Sequence, residues 1–492
     1  MRSEPIALGL VAGAAAVLIF YARRRQRQPM ITASFFLSEV ADSLPHACAA
    51  WEAVARSLPT LNRNGRLRAA VEGIPPFRVD ELTLPELRRA RVILGFLVTS
   101  LINGHGVPWD RLEAIPNVQH RFAYQRPPSR AAPSAAPATT DAATPEAMEP
   151  YTLPATLATA WAVVSARLGL PPILTATDLD LWNRGATPIA GLSPREALTA
   201  FRQSVSLTGT ESERGFHALP FALQLVLAPL LPRLLDVPSL CAAADVTCMT
   251  NLCIALREAL DDARALLPFV YTGVDVDEFY DVYRPLLSGW SPRGLRLPLL
   301  RPDASSLSVD GSQAAVGEVT SMHGGPSAGQ TAIIMLIDLA LGVQHGPQLT
   351  SFQHAMREYF PSEHRDLIVG FAARVADHGS LLTAVQRAGG AASGSACFAA
   401  AHAAAIESLG AMRAYHYGIA THFLKRSLKG TGGSDFRAML DEGVQSTKRA
   451  AGACAGGDKA EAEEGRAVER DASAAGPSRT SERYRGRCDL KR

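Results

Sequence analysis

Residues Ala396 to Asp435 read ACFAAAHAAAIESLGAMRAYHYGIATHFLKRSLKGTGGSD, and this stretch decides how the rest of the chain is interpreted. Its first part is rich in alanine and contains no proline, a composition that favours helix. Apolar residues recur there at helical spacing: Ile406, Leu409, Met412, Ile419 and Phe423. The pattern predicts one long amphipathic helix followed by a glycine-rich loop.

His416 lies in the middle of the apolar stripe of that helix. Residues three and four positions away on a helix are neighbours, so Met412, Arg413, Ile419 and Ala420 surround the imidazole. Such a histidine is either a metal or haem ligand or a hydrogen-bonded core residue. Position alone favours the core residue, and the remaining sequence has to decide between the two.

Composition excludes several classes of function. The chain has 492 residues, 47% of them hydrophobic, and a formal net charge of +2, which fits a globular protein of two or three domains. Basic residues are dispersed along the chain, so no nucleic-acid surface is expected. We also expect a monomer. The seven cysteines show no paired CxxC spacing and are interpreted as free thiols in a reducing compartment.

The N-terminal residues 1–28 predict a membrane anchor with a basic flank. Ile6 to Ala22 is an uncharged apolar run, and arginines follow it at once. A helix of that length, at about 1.5 Å per residue, nearly crosses a hydrocarbon core of about 30 Å. The arginines would keep the following domain on the cytoplasmic side of a membrane that the sequence does not specify. A cleaved signal or transit peptide is the alternative.

Strand signals are scarce, so the sequence predicts an all-α fold. Residues 29–124 form a small helical domain in this prediction, with one helix over Leu87 to Ile102. Residues 125–150 are rich in proline and alanine and predict a linker or insertion. Residues 151–445 then form a large helical domain, and residues 446–492 a disordered charged tail.

Two further segments carry groups suited to a ligand. Phe279, Tyr280 and Arg284 lie at helical spacing and would present aromatic walls and a guanidinium, although core aromatics with an arginine at the rim are the commoner arrangement. The GGPSAG loop leads into an apolar helix that contains Asp338. A buried carboxylate needs a partner, and Arg413 is the cation we nominate; a solvent-facing Asp338 is the alternative.

The chain resembles the indoleamine 2,3-dioxygenase family, in motifs that occur in the family's order from about Leu44 to Gln445. These motifs are LPHACAAWEAVARSLPTL, RARVILGFL with NGHG, LGLPPILTATDLDLWN, ERGF, FYDVYRPLLSGW, SAGQ, MREYFPSEHR, MRAYHYGIAT and GTGGSD. The resemblance implies a small helical domain over a larger all-α domain, with haem b between them. It implies cleavage of the indole ring of L-tryptophan by O2, giving N-formylkynurenine.

The resemblance also assigns roles to residues of this sequence. His416 matches the proximal iron ligand, whereas His402 lies about 21 Å along the helix axis and does not. Arg413 and Asp338 match a pair near a haem propionate, and Gly329 matches the loop that lines the haem. Substrate-pocket positions are matched by Phe216, Phe279, Tyr280, Arg284, Ser327, Ala328 and Thr431, with Arg284 pairing the tryptophan carboxylate. No acid or base residue is required by this chemistry.

Three positions depart from the family pattern. Pro220 stands at a distal serine or histidine, Ala176 at a pocket tyrosine, and His217 at a phenylalanine beside Phe216. Proline cannot donate a hydrogen bond and is expected to kink or start its helix. Ala176 should enlarge the pocket. These departures leave two alternatives open: a haem-binding sensor of the same fold with little turnover, or a dioxygenase for another indoleamine.

Overall fold

The computed structural model describes residues 38–77, 79, 81–104, 107, 149–185, 191–290, 293–300, 315–388, 393–427, 429–430 and 435–454. The expected anchor, residues 1–28, and nearly all of the expected linker lie outside the described residues. The described part is mainly helical, which confirms the all-α prediction.

Helices fill the N-terminal part of the described chain and the segment after the linker. The α-helices there are α1 Ala49–Arg56, α2 Leu58–Arg63, α3 Leu67–Glu72, α4 Leu84–Asn103, α5 Ala155–Arg167, α6 Pro194–Ala200, α7 Glu211–Leu227, α8 Leu231–Leu235, α9 Val237–Ala243 and α10 Val246–Leu266. A five-residue π-helical turn, Thr177–Leu181, lies between α5 and α6. Short 3₁₀ turns lie at His46–Cys48 and Ala228–Leu230.

The second half continues in the same way. Its α-helices are α11 Val270–Gly273, α12 Val276–Glu278, α13 Arg284–Leu286, α14 Ala332–Leu341, α15 Pro347–Met356, α16 Ser362–His378, α17 Leu381–Ala388, α18 Ser393–Phe423 and α19 Phe436–Cys454. A second π-helical turn, Phe279–Tyr283, joins α12 to α13. Further 3₁₀ turns lie at Leu267–Phe269 and Arg357–Tyr359. One antiparallel hairpin-like pair, β1 Leu295–Leu300 and β2 Ala315–Ser321, was not expected from the sequence.

The alanine-rich part of the stretch Ala396 to Asp435 lies in the central helix α18. It packs along α10 and, on another side, along α19. Its predicted apolar stripe is buried, with Ile406 and Leu409 almost completely excluded from solvent. Burying side chains of this size contributes about 1.5–3 kcal/mol each, which is what fixes a long alanine-rich helix in place.

Two buried ion pairs connect α4 to the rest of the molecule. Arg91 pairs with Asp178 of the π-helical turn at 3.2 Å, and both side chains are fully buried. Arg91 also donates to Ser165 Oγ and to the carbonyl of Ile173. Arg89 pairs with Glu52 of α1 at 2.7 Å. Because a buried charge is costly without a partner, the Arg89 pair fixes α4 against α1, and the Arg91 pair fixes it against the segment of residues 171–183.

The expected tail boundary was wrong. Residues from 446 onward were expected to be disordered, yet α19 continues to Cys454. The reason is burial, since Ser446, Thr447 and Ala450 face the protein interior next to α18. Residues 455–492 lie outside the described residues.

One helical stretch in the described chain, Glu211–Ala243, is long and apolar enough to cross a membrane by length and composition. It spans α7 to α9, and 56% of its most apolar window is buried within the protein. Its neighbours include α6 and α10, so this stretch is part of the core. The segment for which an anchor was expected lies outside the described residues.

Candidate functional site

His416 projects from the middle of α18 and is half-buried. Burial lowers the pKa of His416, and the positive charge of Arg413 one turn earlier lowers it further. The imidazole is therefore neutral near pH 7. Within the described part of the chain, neither ring nitrogen has a hydrogen-bond partner, which distinguishes it from a satisfied core histidine.

The two other histidines of α18 are accounted for without a ligand. His402 is fully buried, and its Nε2 is hydrogen-bonded to the backbone carbonyl of Leu341 at 2.9 Å. His422 is exposed and contacts the rings of Tyr271 and Phe423. His416 is thus the partly buried histidine of α18 whose ring nitrogens have no partner among the described residues, whereas His422 is exposed to solvent.

Arg413 and Asp338 form the pair expected from the sequence. Arg413 Nη2 donates to both carboxylate oxygens of Asp338 at 2.6 Å, and Nη1 donates to Thr447 Oγ1 at 2.6 Å. Asp338 is buried, so it does not face solvent. Burial acts to raise the pKa of Asp338, but the charge of Arg413 and the contact with His345 outweigh it and hold that pKa below its usual value.

His345 is a third member of this cluster that sequence reasoning missed. Its Nε2 lies 2.9 Å from Asp338 Oδ2. The two residues are separated by the end of α14 and a left-handed turn at Gly342, so no helical spacing relates them. The sequence feature that could have indicated His345 is its position seven residues after Asp338, a carboxylate that needs a partner when buried.

The residues around His416 fit a haem group. A histidine that binds haem iron does so as a neutral imidazole, and His416 is neutral and has no hydrogen bond to its ring among the described residues. Arg413 supplies a fixed guanidinium on the same helix, of the kind that pairs with a carboxylate such as a propionate. The donor set and its charges are therefore those that a haem with acidic substituents needs.

The SAG loop, residues Ser327, Ala328 and Gly329, leads directly into α14. Gly329 N donates to Ser327 Oγ at 3.3 Å, and Thr331 Oγ1 donates to the carbonyl of Ala328 at 2.7 Å. A Cβ atom at Gly329 would collide with the ring of Phe352. The backbone of the SAG loop is thus held close to α15, with room only for glycine at its last position.

The expected aromatic pocket residues lie together. The rings of Phe216 on α7 and Phe279 on the second π-helical turn are 4.8 Å apart. Phe423 packs edge-on against Phe279 at 5.7 Å. We call Phe216, Phe279 and Phe423 the aromatic wall. Phe423 lies two turns after His416 on α18, about 10 Å along the axis, so one helix carries both the histidine and part of the aromatic wall.

Tyr280 and Arg284 lie at the edge of that wall. The guanidinium of Arg284 is 5.4 Å from the Tyr280 ring, and that of Arg426 is 4.1 Å from it. Arg284 Nη2 also donates to Ser427 Oγ at 3.0 Å and to the carbonyl of Lys429 at 2.6 Å. Its Nε is buried and has no acceptor among the described residues, which leaves a donor for an anionic ligand. Thr431 lies outside the described residues.

Behind Phe216, three polar side chains form a hydrogen-bonded chain that sequence reasoning did not assemble. His217 Nδ1 lies 2.6 Å from Asp180 Oδ1, and His217 Nε2 is hydrogen-bonded to the hydroxyl of Tyr283. Burial raises the pKa of Tyr283 well above its usual value, so the hydroxyl keeps its proton. Burial also raises the pKa of Asp180, an effect that the contact with His217 reduces. We call these residues the polar triad.

A cavity lies next to the polar triad. Its lining residues are Ala176, Thr177, Asp180, Leu181, Pro220, Gln224, Gln330, Thr331, Ala332, Phe360 and His364. Two of the three departures from the family pattern, Ala176 and Pro220, therefore line one cavity, and the third, His217, holds a carboxylate that lines it. Pro220 lies inside α7 and does not start the helix.

Comparison with known proteins finds relatives that are named as 2,3-dioxygenases of indoleamines and of 6-hydroxytryptophan. Rat (Rattus norvegicus) indoleamine 2,3-dioxygenase 1 is 26% identical over 338 residues, which cover 68% of this chain and 70% of the relative. A 6-hydroxytryptophan 2,3-dioxygenase of Fusarium equiseti is 28% identical, over 65% of this chain and 66% of the relative. An indoleamine 2,3-dioxygenase of Aspergillus nanangensis is 24% identical, over 85% of this chain and 96% of the relative.

A family model described as indoleamine 2,3-dioxygenase matches residues 30–426, which include the SAG loop, the aromatic wall, Arg284 and His416. The match runs through both the N-terminal helices and the central helix α18. The chain belongs to the indoleamine 2,3-dioxygenase family.

Proposed function

We propose that this protein inserts both atoms of O2 across the indole 2,3-bond of L-tryptophan, giving N-formylkynurenine, the first step of tryptophan breakdown through kynurenines. The observation that carries the proposal is the pairing of a neutral, unpartnered His416 with an aromatic wall reached by the same helix. The family membership supports a dioxygenase acting on an indole. The relatives named above act on indoleamines and on 6-hydroxytryptophan, which share the same indole bond.

In this proposal His416 would hold haem b through its imidazole, and Arg413, fixed by Asp338, would pair with an acidic substituent of the haem. When bound, the haem supplies the iron at which dioxygen is activated. Gly329 and its SAG loop border the group. Net turnover needs no external reductant, because both oxygen atoms enter the product.

The protein's own contribution is positioning. Phe216 and Phe279 hold the indole ring between flat apolar surfaces, Ser327 and Ala328 border it, and Arg284 pairs the substrate carboxylate beside Tyr280. Thr431, on the glycine loop, completes the pocket in this proposal. Well-oriented reactants can lower a barrier by about 7–11 kcal/mol, so such a site needs no acid or base residue.

The test is a turnover assay on the full chain. The protein is loaded with haem, reduced, and supplied with O2 and L-tryptophan, and N-formylkynurenine is followed by its absorbance. We expect product that is absent from a His416→Ala sample. Haem binding with a normal ferrous spectrum but no product would overturn the proposal, and would favour a haem sensor of the same fold.

We further propose that residues 1–28 anchor the protein in a membrane, with the catalytic domain on the cytoplasmic side and the protein a monomer. The uncharged run Ile6 to Ala22 and the arginines after it support this. Alkaline carbonate extraction of membranes tests the anchor: the full chain should stay with the membrane, and a chain lacking residues 1–28 should not. Release of the full chain would contradict the anchor.

A further inference from the structure

The polar triad packs against the aromatic wall of the proposed substrate pocket. The ring of Phe216 lies 5.3 Å from that of His217 and 5.8 Å from that of Tyr283, so the triad is in contact with the surface proposed to hold the indole. His217 and Tyr283 are buried, and each polar atom of their rings is used within the triad. Buried polar groups of this kind are costly unless they serve a purpose or are fully paired.

The proton arrangement of the triad fixes the orientation of Asp180. His217 Nε2 is hydrogen-bonded to the Tyr283 hydroxyl, which keeps its proton because burial raises the pKa of Tyr283. An ionised carboxylate only accepts hydrogen bonds, so towards an ionised Asp180 it is His217 Nδ1–H that donates to Oδ1. The second carboxylate oxygen, Oδ2, has no donor among the described residues, although Asp180 lines the cavity. One acceptor on the cavity side is therefore unused.

Gln330 supplies the complementary group in the same cavity. Its Oε1 accepts a hydrogen bond from the backbone N–H of Ala176 at 2.9 Å, which determines which end of the amide is the donor. The remaining Nε2 is buried and has no acceptor within the described chain. Gln330 is 3% exposed, so bulk water does not satisfy this donor. An unused donor and an unused acceptor thus line one cavity.

Two other lining residues, Ala176 and Pro220, add no polar side-chain atom to the cavity. Ala176 carries only a methyl group, and Pro220 has no polar atom on its side chain and no backbone N–H. A ligand group that satisfies both Asp180 and Gln330 has to donate one hydrogen bond and accept another. A hydroxyl group does both. The ring of Phe216 contacts that of His217, and His217 is hydrogen-bonded to Asp180 at the cavity. The hydroxyl would therefore be carried on an aromatic ring held against Phe216.

We propose that Asp180 and Gln330 recognise a hydroxyl on the benzo ring of the indole substrate, so that a ring-hydroxylated tryptophan binds more tightly than tryptophan itself. The hydroxyl donates to Asp180 Oδ2 and accepts from Gln330 Nε2. His217 and Tyr283 are positioning residues that hold the carboxylate in place. This inference rests on the proposed function, because it needs an indole held against Phe216.

The test is equilibrium binding, measured by titration calorimetry on the full-length ferric haem protein. The probes are L-tryptophan and its 4-, 5-, 6- and 7-hydroxy derivatives. We expect one hydroxy isomer to bind about tenfold more tightly than tryptophan, the gain typical of a hydrogen bond to a charged group. Equal or weaker binding of every hydroxy isomer would overturn the inference.

Two variants locate the effect. Asp180→Asn keeps the shape, but when its amide oxygen faces His217 it presents a donor where Oδ2 was an acceptor. It should abolish the tenfold preference while tryptophan affinity changes less than about threefold. Asp261→Asn makes the same chemical change on the surface of α10 and should leave the preference intact. If Asp180→Asn does not fold, Gln330→Met serves instead, and an unchanged preference in whichever variant folds contradicts the inference.

A parallel turnover assay separates this inference from the proposed function. Tight binding of a hydroxy isomer without cleavage of any indole would contradict the proposed dioxygenase activity but would support the hydroxyl-binding site. Cleavage of tryptophan and all hydroxy isomers with equal dissociation constants would do the reverse.

Discussion

Arg413 Nη2 lies 2.6 Å from both carboxylate oxygens of Asp338, and this pair joins the helix that carries His416 to the helix that follows the SAG loop. The pair is the physical link between two segments that are far apart in sequence. Because Asp338 is buried, the link depends on charge as well as on packing.

Removing the cation should destabilise the protein strongly. Arg413→Ala leaves a buried carboxylate with His345 as its remaining side-chain partner, and breaking a buried pair of this kind costs about 3–5 kcal/mol. Denaturant unfolding should show this loss, and haem should be released more readily. Arg413→Lys should recover part of the stability. An Arg413→Ala protein with wild-type stability and haem retention would show that the pair is unimportant.

The free energy of unfolding should fall in acid because of His323, which lies shortly before the SAG loop. Burial lowers the pKa of His323 from 6.5 to about 4, and the charge of Arg91 adds to this. Because the folded pKa lies below the unfolded value, the unfolded chain binds more protons as the pH falls from 6.5 toward 4. The stabilising contribution of neutral His323 is therefore complete above 6.5 and is lost across that range.

The measurement is the free energy of unfolding as a function of pH in the wild type and in His323→Gln. The variant should lose less stability than the wild type between pH 6.5 and 4. The exposed His378→Gln serves as the control and should follow the wild type. Parallel curves for the wild type and His323→Gln would contradict the assignment.

The close approach of the SAG loop to Phe352 predicts a cost for any side chain at Gly329. Gly329→Ala forces the loop or the Phe352 ring to move, and overpacking of this kind costs about 1–3 kcal/mol. Gly317→Ala is a matched control, because nothing lies within 4 Å of its Cβ position. Thermal unfolding of both variants checks the prediction, and equal melting temperatures would count against the described packing.

Arg284 should act on substrate and leave haem binding unaffected. Arg284→Ala removes the charge proposed to pair the tryptophan carboxylate, so the apparent binding of the transition state should weaken by about 1.5–3 kcal/mol. Haem content should equal that of the wild type. Steady-state kinetics and the haem absorbance per protein measure both effects, with Arg264→Ala on the surface of α10 as control. Unchanged kcat/KM would remove Arg284 from the pocket.

His416 has a prediction of its own. His416→Ala should fold, since the half-buried ring makes no hydrogen bond to described residues, yet it should fail to retain haem. Circular dichroism and haem titration test the two halves of this statement. His402→Ala, by contrast, should retain haem and lose stability, because its ring is bonded to the carbonyl of Leu341.

Local sequence was enough to predict α4, α18 and one buried pair, but it predicted ordinary helical spacing for Phe279 and Tyr280, which lie in a π-helical turn. The alanine-rich composition of α18 and its apolar spacing predict both its existence and its buried face, and a carboxylate in the apolar run of α14 predicts a cationic partner. The bounds of α4 and α18 differed from expectation only at their ends. Family resemblance, not periodicity, was what assigned His416 and the pocket residues their roles.

The polar triad could not be predicted in this way. Asp180, His217 and Tyr283 come from three separate segments, and two of them lie in π-helical turns, which change which side chains share a face. His345 joins Asp338 across a loop rather than a helix turn. Each of these contacts depends on how distant segments pack, which spacing along one segment does not determine.

The most direct test of the central claim uses isotopically labelled dioxygen. The full-length haem protein is reduced and given L-tryptophan under labelled O2. The reaction is quenched at once, and the mass of the product is measured by mass spectrometry. We expect N-formylkynurenine carrying both labelled oxygen atoms. Intact tryptophan, or a product carrying a single label, from protein that holds haem through His416 would contradict it.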